Sequence, residues 1–293
     1  MELAVLHLED GRSLEFCRSG PEDAETTLVF HVGTPSAAVS FPHVTAAAAA
    51  RGVRTVSYSR AGYGGSTRSP GRTVAEEAAN TAALADHMWT ASFLVAGWSG
   101  GGPAALACAA LMPDRVRSCV VLAGASPPEE VGPEWFEWSA EEDRAELRGI
   151  AAGSPDAFRP AFEEAAAPLA TTTPDGVVAW PEFTDADRAA FDRSPGLADA
   201  IADSMRRGVG PGVDGWLDDE AAEVRPWGFH VGDIRVPVTI RHGELDQLVR
   251  VDHGRWLAMH IPGAKAEIRT ADGHISIAAS FDEVMDDLLA AAG

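Results

Sequence analysis

The run Gly97-Trp98-Ser99-Gly100-Gly101 constrains this chain more than any other feature. It follows an apolar, strand-like stretch, Ala91 to Ala96, and precedes a helix-like one, Pro103 to Leu111. A serine on a tight turn between strand and helix must adopt backbone angles that ordinary residues avoid. Its neighbours must be small enough to let strand and helix pass close together. Such a turn lifts the hydroxyl clear of the sheet and sets the Gly100 N–H at a helix N-terminus, where partial positive charge gathers. A G-x-S-x-G string also arises by chance in a chain with 29 glycines, so its meaning comes from the flanking elements.

The rest of the chain supplies the sheet that this turn needs. Leu3 to Leu8 and Ser13 to Arg18 alternate in polarity around Asp10-Gly11, a hairpin signal. Thr26 to Val32 is almost continuously apolar, as in a strand buried on both faces. A helix is expected near Val44 to Ala50, a strand at Val53 to Tyr58, a helix over Val74 to Met88 and a strand at Val116 to Leu122. After a break, a strand at Pro237 to His242, a helix at Val251 to His260, a strand at Ala264 to Thr270 and a helix from Ser276 to Ala291 follow. This alternation predicts an α/β fold with a mostly parallel central sheet flanked by helices. Between Glu129 and Arg225 strand-like runs nearly vanish. The expected organisation is therefore a core of residues 1–128 and 226–293 with a helical cap, residues 129–225, inserted into it. With 293 residues, 46% of them hydrophobic, one such domain can bury a sizeable core.

The formal charge of −21 disfavours nucleic acid and anionic membrane as partners, since both require basic patches. Lys265 is the only lysine, which argues against Schiff-base chemistry. Cys17, Cys108 and Cys119 are odd in number, show no metal-type spacing and read as buried apolar residues. The start of the chain has no basic region followed by a long apolar run, and no stretch is apolar enough to span a bilayer. A cytoplasmic protein acting on a small molecule, without metal or cofactor, is the expectation; a homodimer is left open.

A serine nucleophile needs a base and a carboxylate to orient it, and in α/β sheets the chemistry gathers at the carboxyl ends of the strands. His274, in Asp272-Gly273-His274-Ile275, follows the last expected strand and is the preferred base. His31 also ends a strand but precedes the serine, and His230 and His242 are harder to set aside. The carboxylate is sought in His242-Gly243-Glu244-Leu245-Asp246; Asp246 is preferred, with Glu244 and Asp252 as competitors. The oxyanion of acyl transfer needs two N–H donors. Gly100 offers one, and the loop Val32-Gly33-Thr34-Pro35 offers the other, at Thr34 with Gly33 as alternative. Gly33 and Trp98 are also expected beside the substrate, although Trp98 equally suits packing beneath the turn.

Taken together, His31-Val32-Gly33-Thr34-Pro35, Ser59-Arg60-Ala61-Gly62-Tyr63-Gly64-Gly65-Ser66, the serine turn, His242 to Asp246 and Gly273-His274 resemble the α/β-hydrolase superfamily, particularly capped bacterial serine hydrolases. The order Ser99, Asp246, His274 matches that family. Two positions depart from its common pattern: Val32 stands where relatives often carry His, and Ser59 where many carry Asp. The resemblance implies a cofactor-independent Ser-His-Asp hydrolase of an ester, lactone or amide with a helical cap. A proline-iminopeptidase-like aminopeptidase would need acidic cap residues, for which Glu129, Glu130, Glu134, Glu137, Glu141 and Glu142 are available. A ligand-binding receptor with slow turnover on the same fold is the third reading.

Overall fold

The computed structural model describes residues 3–141 and 143–293, so Glu142, named above, lies outside the described residues. Eight strands form one sheet: β1 (Leu3–His7), β2 (Ser13–Ser19), β3 (Thr26–His31), β4 (Val53–Tyr58), β5 (Phe93–Trp98), β6 (Val116–Leu122), β7 (Val238–Gly243) and β8 (Lys265–Arg269). Their spatial order is β1-β2-β4-β3-β5-β6-β7-β8. β1 and β2 pair antiparallel around the Asp10-Gly11 turn, and β2 pairs antiparallel with β4. All further pairings are parallel, so one edge of the sheet collects the C-terminal ends of β3 to β8.

Six helices belong to the alternating part: α1 (Pro42–Ala49), α2 (Glu76–His87), α3 (Gly101–Leu111) and, after the long helical stretch, α12 (Val251–His260), α13 (Ser276–Ala279) and α14 (Phe281–Ala291). Side chains alternate across a strand, and the two sheet faces use this directly. Leu94, Ala96 and Trp98 of β5 join Leu28 and Phe30 of β3 in a core closed by α1 and α14. Phe93 and Val95 join Val29, Cys119 and Val121 in the opposite core, closed by α2, α3 and α12. α3 is buried from Gly101 to Ala109, which explains why this alanine-rich helix shows no polar face in the sequence. All three cysteines are buried and unpaired.

Between β6 and β7 lie α4 (Pro128–Val131), α5 (Glu134–Glu137), α6 (Arg144–Ala151), α7 (Arg159–Leu169), α8 (Pro174–Val178), α9 (Asp185–Arg193), α10 (Leu197–Val209) and α11 (Asp214–Glu223). Part of this segment has a core of its own, with Trp135, Ile150, Phe162, Val209 and Leu217. Residues of α8, α9 and α10 pack instead into the sheet-face core. Two of the helix boundaries that differ from the sequence expectation have a local cause. α1 begins at Pro42 rather than Val44, because proline suits the first helical turn. The last helix is split, since Ser280 (φ −83°, ψ 53°) leaves helical geometry between α13 and α14. Among the described residues no helix is long and apolar enough to cross a membrane.

Candidate active site

Ser99 stands directly after β5, the central strand of the parallel part, with φ +56°. A serine tolerates this left-handed conformation only when its surroundings enforce it. They do: its N–H donates to Leu122 of β6 at 2.9 Å, and its carbonyl accepts from Gly102 at 2.8 Å. The turn also requires glycine beside it. A Cβ on Gly97 would collide with the Gly101 carbonyl, and one on Gly101 with the His31 carbonyl at the end of β3. Ser99 and Gly100 remain partly exposed, whereas the strand leading to them is fully buried.

Asp246 and His274 meet at the same sheet edge. The His274 Nδ1–H donates to Asp246 Oδ2 at 2.8 Å, while Asp246 Oδ1 accepts from the backbone N–H groups of Leu248 and Val249, both at 2.9 Å. Both side chains are buried. Burial alone would raise the Asp246 pKa, but the neighbouring His274, the hydrogen bond it donates and the nearby His242 outweigh it and hold the carboxyl well below its ordinary range. An anionic Asp246 on Nδ1 fixes the ring orientation and its tautomer, leaving Nε2 as the proton acceptor. The competitors lie elsewhere in charge space: Glu244 is exposed and paired with Arg255, and Asp252 pairs with Arg250.

The loop after β3 approaches from the other side. A Cβ on Gly33 would lie 3.1 Å from Ser99 Cβ and 3.5 Å from its Oγ, so Gly33 lies against the serine side chain. A Cβ on Gly100 would run into the Thr34 hydroxyl. Arg60, buried beneath the loop, donates to the Val32 carbonyl at 2.5 Å, the Gly33 carbonyl at 3.2 Å and Thr34 Oγ1 at 2.7 Å. The peptide units on either side of Gly33 are thereby held by one guanidinium.

Trp98 is buried; its Nε1–H donates to the His274 carbonyl at 3.1 Å and its ring packs against Phe41 and His274. These are packing contacts beneath the serine turn. His31 is buried with Nε2 3.7 Å from Cys108 Sγ, and burial together with the Arg60 charge pulls its pKa down to about 3. His242 donates from Nε2 to the Val249 carbonyl at 2.8 Å, which helps to shape the Asp246 loop. His230 is exposed. Of the acidic residues singled out in the helical segment, Glu129 accepts from the Trp227 N–H and Glu130 from the Val231 N–H, Glu137 pairs with Arg144 and Arg148, and Glu134 and Glu141 are exposed.

Two further carboxylates, Asp219 and Glu223 on α11, line a cleft at the serine turn. Glu223 comes close enough that a Cβ on Gly100 would strike its Oε1. It also lines a small cleft shared with Gly100, Pro103, Arg60, Arg72 and Asp219. Burial, then repulsion from Glu220 and Asp219, pushes its pKa well above the ordinary carboxyl range against the opposing pull of Arg60 and Arg72. The sequence hides this pair, because Asp218-Asp219-Glu220 and Glu223 read as the solvated face of a helix.

The family model of the alpha/beta hydrolase fold matches residues 26–278. No curated protein matches the chain. Among solved structures, the chain is similar to an enol-lactonase from Burkholderia xenovorans LB400 (20% identity, TM-score 0.70), over 98% of this chain and 100% of that one. An alpha/beta hydrolase fold protein from Nakamurella multipartita is 24% identical, with TM-score 0.67 and full coverage of both chains. An esterase from Rhodococcus sp. ECU1013 is 19% identical, with TM-score 0.65 and again full coverage of both. The arrangement of the sheet and the match along most of its length place this chain in the alpha/beta hydrolase fold family.

Proposed function

We propose that this protein is a serine hydrolase of small carboxylic esters and lactones. The observation that carries this reading is the buried His274–Asp246 pair, 2.8 Å apart, at the same sheet edge as a serine held at φ +56° between strand and helix. Ser99 Oγ attacks the substrate carbonyl while His274 Nε2 takes its proton. The charge that develops on the carbonyl oxygen is met by the N–H groups of Gly100 and Thr34. His274 then protonates the leaving alcohol, or the ring-opened hydroxyl of a lactone. Water, deprotonated by the same imidazole, releases the acyl group and restores Ser99. Asp246 stabilises the imidazolium in both halves. The helical segment from Pro128 to Glu223 serves as a cap over this site.

Similarity to an enol-lactonase and an esterase favours ester and lactone substrates over amides. An aminopeptidase would need carboxylates free to hold an amino terminus, and Glu129 and Glu130 are engaged by backbone N–H groups. The test is labelling with a fluorophosphonate, with the modified peptide located by mass, in the wild type and in Ser99→Ala. Modification of Ser99 that the substitution abolishes, together with turnover of p-nitrophenyl esters or lactones, is the expected result. A folded wild type that neither labels nor hydrolyses any of them would overturn the reading.

A further inference from the structure

Two buried carboxylates of the helical segment grip the two loops that the proposed site depends on. On α11, Asp219 is hydrogen bonded by Arg60 through Nη2 at 2.6 Å and Nε at 3.0 Å, by Arg72 at 2.5 Å and by the Thr34 hydroxyl at 3.0 Å. Arg60 in turn holds the Val32 and Gly33 carbonyls. A peptide unit is planar, and in its trans form the N–H points opposite to the C=O. The Gly33 carbonyl and the Thr34 N–H belong to one such unit. Fixing that carbonyl on Arg60 therefore turns the Thr34 N–H away from the guanidinium. The side chain of Ser99 lies against Gly33 in the same loop.

On α9, Asp187 does the equivalent for the base. Its Oδ1 accepts from the N–H groups of Ile275 and Ser276, both at 2.8 Å, the two residues that follow His274. Its Oδ2 accepts from the Thr184 N–H and hydroxyl at 3.0 and 2.9 Å. Gly273, on the other side of His274, is so close that a Cβ there would collide with the Asp187 carboxylate. A carboxylate that accepts from consecutive backbone N–H groups at a helix start is a strong, directional anchor.

We propose that Asp219, acting through Arg60, and Asp187 are positioning residues of this site: the first aims the Thr34 N–H at the developing oxyanion, and the second fixes the backbone that carries His274. The segment between β6 and β7 is then a structural half of the catalytic apparatus at these two points, in addition to covering it. The inference rests on the serine-hydrolase reading above and adds to it.

The test compares hydrolysis of p-nitrophenyl acetate by the full-length wild type, Ser99→Ala, Arg60→Lys, Asp187→Asn and Arg68→Met. Lysine keeps the charge beside Asp219 but lacks the planar fork that reaches both carbonyls and Thr34 at once. Loss of one oxyanion donor costs about 10²–10³ in kcat, so Arg60→Lys is expected to lower kcat by roughly thirtyfold or more while KM changes less than about threefold. Asp187→Asn is expected to lower kcat at least about tenfold, since small displacements of a catalytic group are costly. Arg68 pairs with Asp214 and Asp218 of the same α11 without a hydrogen bond to either loop. Arg68→Met is expected to lower the melting temperature with kcat kept within about twofold. Should Asp187→Asn not fold, Arg60→Lys still decides. The proposal is overturned if Arg60→Lys keeps wild-type kcat, or if Arg68→Met lowers kcat as much as it does. Turnover that Ser99→Ala leaves unchanged, or its absence in the wild type, overturns the hydrolase reading and this inference with it.

Discussion

Trp98 and His274 are joined by a hydrogen bond from the indole Nε1–H to the His274 carbonyl, 3.1 Å long. The residue before Ser99 thus holds the backbone of His274, the proposed base, across 176 residues of sequence. The two rings also pack with centroids 5.6 Å apart. Strand β5 and the loop after β8 are three strands apart in the sheet order, so this bond links elements that no ladder connects. Trp98→Phe keeps most of the packing and removes the donor. One buried hydrogen bond contributes about 1 kcal/mol net, so stability should fall by about that much. kcat/KM should fall roughly fivefold or more, through a looser His274. Equal kcat/KM for the two proteins would show that the bond serves packing alone.

Asp246 allows a sharper test of the proton pathway. Asp246→Asn keeps the shape of the loop, but an amide that donates to Nδ1 favours the wrong tautomer. The cost of such a change is about 10⁴ in kcat. Ser99→Ala should cost about a million-fold in kcat, and combining it with Asp246→Asn should add little, because residues that act as a unit are not additive. Independent, multiplying losses in the double variant would contradict a shared mechanism.

The core elements were legible in the sequence because they are strongly periodic. β4, β6 and α12 occupy the ranges expected from apolar pattern alone. Ser99, Asp246 and His274 could be proposed from sequence because strand ends are where this architecture concentrates chemistry. What stayed hidden is the contribution of the helical segment. Asp187, in Thr184-Asp185-Ala186-Asp187, reads as a helix-capping residue, and it is one, since the capping box with Thr184 is present. Its second role on Ile275 and Ser276 spans 88 and 89 residues of sequence, a distance that no local pattern encodes. Arg60 was visible only as part of a glycine-rich run, and its partner Asp219 only as one acid among neighbours.

Glu223 predicts a pH dependence with a definite sign. Its carboxyl faces Gly100, with Asp219, Glu220, Arg60 and Arg72 around it and Glu77 lining the same cleft. Its folded-state pKa is raised well above the ordinary value. The stability this group contributes is therefore full below its unfolded pKa, about 4.3, and is lost as pH rises from there through the folded value. Ionisation also puts negative charge beside the Gly100 N–H, which opposes an oxyanion. Glu223→Gln should gain stability over the wild type as pH rises from 4 to 8, seen in urea melts at each pH. It should also lack the decline in kcat with rising pH that ionisation of Glu223 is expected to cause in the wild type. Parallel pH profiles for both quantities would remove Glu223 from this role.

Gly97 tests whether the serine turn is sterically determined. The carbonyl of Gly101 occupies the space that a Cβ on Gly97 would need, and the methyl of Ala105 would lie only 2.9 Å away. The first obstacle is backbone, so it cannot rotate aside. Gly97→Ala must therefore push β5 and the start of α3 apart. Overpacking of a well-filled site costs roughly 1–3 kcal/mol, and the displacement falls on the turn that aims Ser99 Oγ. A loss of stability in that range is expected by chemical denaturation, with kcat lowered by about a hundredfold, the cost associated with a 1 Å misplacement of reacting groups. Gly232→Ala is the comparison, because a Cβ there meets nothing within 4 Å and leaves the turn untouched. If Gly97→Ala matched Gly232→Ala in both stability and kcat, the turn would be adaptable, and the geometry of Ser99 would not depend on the glycines that flank it.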